Sequence, residues 1–78
     1  MADFPALRWP EFRRVLERDP LHYEVVRARG SHKTLRSAAG YPELHLAFHD
    51  GAELAPGLVR KILTRDIGLS EAKALALL

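Results

Sequence analysis

Cysteine is absent from this chain of 78 residues, so disulfides and thiolate-bound metals are excluded. No apolar stretch approaches the roughly 20 residues needed to cross a bilayer. The start, Met1-Ala2-Asp3-Phe4-Pro5, lacks the basic residues and long apolar run of a secretory signal. These absences lead us to expect a soluble protein of a reducing compartment, the cytoplasm, with no membrane association. The acidic residues are scattered, with no carboxylate cluster of the kind that holds magnesium. Linkers, internal repeats and low-complexity stretches are also missing, so residues 1–78 read as one small domain.

What is present is the composition of a folded globule, 47% hydrophobic and 28% charged. Small cores are marginal and are often supplemented by disulfides, metals or a partner. The formal net charge is only +2, but the cations are unevenly placed. Arg8, Arg13, Arg14, Arg18, Arg27, Arg29, Lys33 and Arg36 all fall in the first half, against fewer acids. A preference for arginine suits planar, bidentate contact with phosphate. It is equally what genome composition or heat adaptation would leave.

Trp9-Pro10-Glu11 reads as a helix start, with an acid at the positive end of the helix dipole. Phe12, Val15 and Leu16 recur at helical spacing, and Asp19-Pro20 closes a helix over Pro10–Arg18. Tyr23–Arg29 is rich in strand formers, Gly30-Ser31 signals a turn, and Lys33–Ser37 can pair back as a hairpin. Glu43–His49 alternates strictly, with Leu44, Leu46 and Phe48 on one face and His45, Ala47 and His49 on the other. Pro56 opens a second helix whose buried stripe is Leu58, Val59, Ile62 and Leu63, with Gly68 as its cap. Ser70-Glu71 caps a last short helix carrying Leu75 and Leu78. The predicted fold is α+β. It is an α-β-β-β-α domain with a three-stranded antiparallel sheet, helices on one face and a short C-terminal helix.

The segment Val25-Val26-Arg27-Ala28-Arg29-Gly30-Ser31-His32 carries the candidate chemistry. Arg27 and Arg29 have the spacing for one face of a strand, and the turn presents His32 beside them. An imidazole among guanidiniums is a minimal kit for holding a phosphodiester and moving a proton near it. The same residues also read as exposed strand charges and a solvated turn. His45 and His49 lie roughly 13 Å apart if both sit on one strand, too far to share a metal ion. Trp9, Phe12 and Tyr23 are candidates for stacking on bases, although the helical spacing around Phe12 fits core packing better.

The order of elements, the run Tyr23–His32 and the run His49-Asp50-Gly51-Ala52-Glu53-Leu54-Ala55-Pro56-Gly57-Leu58-Val59-Arg60-Lys61-Ile62-Leu63 together resemble the HicA family of small bacterial and archaeal toxins. The resemblance implies a fold like the double-stranded-RNA-binding domain. It implies an endoribonuclease toxin, an mRNA interferase, that cleaves messenger RNA and inhibits translation. His32 matches the histidine needed for cleavage, and a HicB-type antitoxin that covers it is the implied protein partner. By the same resemblance His49 is the candidate second proton-transfer residue. The expected reaction is attack of an RNA 2′-hydroxyl on its adjacent phosphate, with no metal and no cofactor. Arg27, Arg29, Gly30, Ser31 and Lys33 at the hairpin, with Arg60 and Lys61 on the second helix, are the candidate RNA-binding residues. The competing reading is a non-catalytic RNA-binding module of the same fold, and a third is an interaction domain that docks a protein on its sheet.

Overall fold

The computed structural model describes residues 3–78. A short strand, β1 (Leu7–Arg8), runs directly into helix α1 (Trp9–Glu17). Pro10 sits in the first turn, where its missing N–H is not needed. Two amides at the helix entrance find partners. Arg8 N–H donates to the Glu11 carboxylate at 3.0 Å, and Trp9 N–H donates to the Ala52 carbonyl at 3.2 Å. Trp9, Phe12, Val15 and Leu16 are buried, while Arg13, Arg14 and Glu17 face water, as the helical spacing requires.

The sheet is built from β2 (Tyr23–Arg29), β3 (His32–Ser37) and β4 (Leu44–Ala47), all antiparallel, in the spatial order β2-β3-β4. Arg29 pairs with His32 across the two-residue turn Gly30-Ser31. Gly30 holds a φ of +60°, the left-handed value that the first position of a type II′ hairpin turn demands. The Ser31 carbonyl accepts from Phe48 N–H at 3.0 Å, so the end of β4 braces the turn.

Beyond the sheet, β5 (Glu53–Leu54) pairs with β1, placing Leu54 opposite Leu7. These two-residue strands are too short to leave a periodic signal, and sequence reading does not find them. Helix α2 (Pro56–Lys61) continues through a π-helical turn over Ile62–Asp66, closed by Ile67 N–H to Ile62 C=O at 2.9 Å. Gly68, at φ +93°, ends it as expected. Helix α3 (Glu71–Leu77) starts at Ser70, whose hydroxyl accepts from Lys73 N–H at 3.2 Å. None of these helices is long and apolar enough to cross a membrane, among the described residues.

The predicted α-β-β-β-α order with a terminal helix is therefore observed, with the short pair β1 and β5 added to it. Tyr23, Leu35, Leu44 and Leu46 point from one sheet face into a core completed by Phe12, Leu16, Val59, Ile62 and Leu63. Leu58, expected in the buried stripe, is 38% exposed, because it lies about 100° around the helix from Val59. On α3 the buried residue is Ala74, with Leu75 half-buried and Leu78 exposed.

One irregularity decides what the other sheet face carries. Val25 pairs with Leu35 and Arg27 with Thr34, so Val26 is an extra, unpaired residue: a β-bulge. Tyr23 is buried and Val25 half-buried, both turned to the core side. Unbroken alternation from them would send Arg27 and Arg29 the same way. The bulge resets the parity and turns both arginines to the open face.

Candidate functional site

The open face presents two complete cross-strand rows. Arg29, His32 and Ala47 form one, and Arg27, Thr34 and His45 the next. Five of these side chains (Arg27, Arg29, His32, Thr34 and His45) line a single shallow hollow. His32, Arg27, Arg29 and His45 are exposed, and Thr34 is half-buried. Among the described residues, neither Arg27 nor Arg29 has a carboxylate within ion-pairing distance. The hairpin thus brings His32, Arg27 and Arg29 together, and adds His45, which the sequence reading considered only as a metal ligand.

Each ring nitrogen of His45 has a polar neighbour. Its Nε2 lies 3.3 Å from Glu43 Oε1, and its Nδ1 lies 3.5 Å from Thr34 Oγ1. Glu43 also pairs with Arg36 at 3.3 Å, so one carboxylate serves two neighbours at the far end of the sheet. The signal for His45 was available in the strict alternation of Glu43–His49. Its proximity to His32, however, depends on cross-strand register.

Lys33 does not join the arginines. It sits between His32 and Thr34 on β3 and therefore points to the opposite face, where it is 5% exposed. Its ammonium donates to the Phe48 carbonyl at 3.1 Å and pairs with Asp50 at 2.8 Å. It also stands 5.7 Å from the Trp9 ring centre and 5.2 Å from that of Phe48. The hydrogen bond from Lys33, then its charge, holds the Asp50 carboxyl below the usual carboxylate range. Lys33 is thus a clamp that ties the β4–β5 connection to α1, on the face away from Arg27 and Arg29. Gly30 and Ser31 shape the turn that delivers His32, and neither lines the hollow.

His49 lies two residues past β4, in a turn closed by Ala52 N–H to His49 C=O at 2.9 Å. It is exposed, its charge is felt by Asp50, and it does not line the hollow. Arg60 and Lys61 are exposed on α2 and border a separate hollow with Gly57, Thr64 and Arg65. Arg60 pairs with Glu71 at 3.1 Å and Lys61 with Asp66 at 3.6 Å. Such surface pairs are worth only about 0–1 kcal/mol, so either cation can exchange its carboxylate for a phosphate. Lys61 also borders Glu43, Leu44 and His45 across the edge of β4. Trp9, Phe12 and Tyr23 are all core residues, which removes them as stacking platforms. Burial, then the neighbouring Tyr41, pushes the Tyr23 phenol up to about 12, and its hydroxyl donates to the Pro42 carbonyl at 2.6 Å.

A family model described as the HicA toxin of bacterial toxin-antitoxin systems matches residues 9–69. The match runs from the start of α1 to Leu69, just past the glycine that ends the π-helical turn, and so spans the whole sheet. Neither a curated protein nor a solved structure gives a significant match.

Proposed function

Because this chain belongs to the HicA family of toxins from bacterial toxin–antitoxin systems, we propose that its open sheet face is the active surface of an RNA-cleaving toxin. The observation that carries this reading is the bulge at Val26, which gathers Arg27 and Arg29 beside His32, with neither arginine in an ion pair among the described residues. Two guanidiniums suit the non-bridging oxygens of a phosphodiester and the charge that grows on them during in-line attack. His32, exposed at the strand end, supplies the group that takes the 2′-hydroxyl proton. The 2′-oxygen then attacks its own 3′-phosphate. Messenger RNA is the proposed substrate, and loss of translation the consequence for the cell.

The same face offers a way to silence such a toxin. A HicB-type antitoxin that covers His32 and offers acidic groups to Arg27 and Arg29 would occupy the phosphate positions directly. Arg60, on a separate hollow, and Lys61, which also borders His45 at the edge of β4, would add phosphate contacts for longer RNA.

The reading is tested with purified protein in chelator, using an RNA oligonucleotide and the same sequence with 2′-deoxy sugars. Cleavage of the RNA alone, lost in a folded His32→Ala variant, is the expected result. Cleavage of both oligonucleotides contradicts 2′-hydroxyl attack. Salt-sensitive binding without cleavage assigns the face to a non-catalytic RNA-binding module instead.

A further inference from the structure

Cleavage by a 2′-hydroxyl requires two proton transfers, one from the attacking oxygen and one to the departing oxygen, and His32 accounts for the first. We propose that His45 is the second proton-transfer residue, donating to the departing 5′-oxygen, and that Glu43 orients its ring. This inference rests on the reading of the open face as an RNA-cleaving site.

Register places the two imidazoles correctly. His32 pairs with Ala47 and Thr34 pairs with His45, so the histidines are diagonal neighbours on adjacent strands. Diagonal positions in antiparallel sheets stand about 7–8 Å apart. That interval separates backbone positions and lets both side chains reach one phosphate. Both imidazoles line the hollow that also holds Arg27 and Arg29, so the phosphate and its two proton-transfer groups share one site. The residue directly opposite His32 is Ala47, whose methyl group leaves the space between the rings open.

The surroundings divide the labour. Glu43 Oε1, 3.3 Å from His45 Nε2, is the ion-pair partner placed to orient that ring. Nδ1 is then the nitrogen free to act. Its hydrogen bond with the Thr34 hydroxyl, at 3.5 Å, is at the outer limit for such a bond and is readily displaced by a substrate oxygen. His32 has Arg27 and Arg29 beside it in the hollow and, among the described residues, no carboxylate in an ion pair with it. His49, outside the hollow, has neither relation to the phosphate position.

The step balances as follows. His32 takes the proton of the 2′-hydroxyl as the 2′-oxygen bonds to phosphorus. The bond from phosphorus to the 5′-oxygen breaks, its electron pair stays on that oxygen, and His45 Nδ1 supplies the proton. The products are a 2′,3′-cyclic phosphate and a 5′-hydroxyl, and exchange with water restores both imidazoles.

The deciding experiment compares two RNA substrates, one ordinary and one with sulfur replacing the departing 5′-oxygen at the position the parent protein cuts. A thiolate leaves without being protonated, so it no longer needs the acid. His45→Gln is expected to cut ordinary RNA about 100-fold or more slowly than the parent, and the sulfur substrate at close to the parent rate. Glu43→Gln should show a smaller loss with the same rescue, and His32→Ala should stay slow on both substrates. Equal slowing of His45→Gln on the two substrates, undiminished cutting of ordinary RNA, or rescue that falls on His49→Gln would overturn the assignment while leaving His32 in place. A parent protein that cuts neither substrate removes the RNA-cleaving reading and this inference together.

Discussion

His32 and Lys33 are adjacent in the chain, both able to carry positive charge, and they do opposite jobs. His32 stands on the open face of β3 beside Arg27 and Arg29. Lys33, one residue on, is turned through the sheet and fixed by Asp50, the Phe48 carbonyl and two aromatic rings. The alternation of a strand separates chemistry from architecture at single-residue resolution. Substitutions on the open face should therefore change activity and leave stability alone, and those on the inner face should do the reverse.

The largest expected effects lie at the two poles of that contrast. His32→Ala should lower RNA cleavage by about 100- to 10,000-fold with an unchanged melting temperature. Leu35→Ala, on the inner face and 0% exposed, should destabilise the fold by about 2–5 kcal/mol in denaturant titration. A His32→Ala protein that melts much earlier than the parent would break the comparison.

Lys33 offers the next sharpest test, because stem and charge can be separated. Lys33→Ala removes packing and a donor, and should cost about 2–4 kcal/mol. Lys33→Met keeps the stem and gives up a charge that was expensive to bury, so its cost should stay below about 1 kcal/mol. The pH dependence follows from Asp50, whose carboxyl is held below its ordinary range by the Lys33 hydrogen bond and charge. A depressed folded-state value stabilises the fold above the unfolded carboxylate range, about pH 4, and that contribution fades as pH falls through the folded value. The acid limb of parent stability should accordingly flatten in Lys33→Met. At the alkaline end the sign reverses. Tyr23, pushed up to about 12, favours the fold below the ordinary phenol value of about 10 and loses that contribution as pH rises from there towards 12.

Smaller effects concern the arginines and the bulge. Arg27→Ala and Arg29→Ala should each reduce the slope of log affinity against log salt by about 0.7 for single-stranded RNA. Deleting Val26 should be tolerated. Arg27 then follows Val25 in a regular ladder, still opposite Thr34 and still facing outward, and the Gly30-Ser31 turn keeps its register. A folded deletion variant with the salt slope of the parent supports this account of the strand. One that has lost both arginine contacts contradicts it.

Much of this arrangement is legible in the residues alone. The alternation in Glu43–His49 and the Gly30-Ser31 turn lead to the observed sheet, and Phe12, Val15 and Leu16 to the first helix. The inward turn of Lys33 was also readable, since Leu35 is the apolar residue of β3 and Lys33 shares its parity. The bulge was not. Val25 and Val26 are both strand formers, and nothing local marks Val26 as the residue that leaves the ladder. Register between β3 and β4 was equally hidden, because a loop of six residues separates Ser37 from Leu44 and permits several pairings. That register is what sets His45 beside His32.

The central claim, that the open face cleaves RNA through the 2′-hydroxyl, is tested most directly by mass spectrometry of the ends that the purified protein produces from a defined RNA. The account predicts a 2′,3′-cyclic phosphate on one fragment and a 5′-hydroxyl on the other, both missing with His32→Ala. Fragments bearing a 5′-phosphate and a 3′-hydroxyl would contradict it.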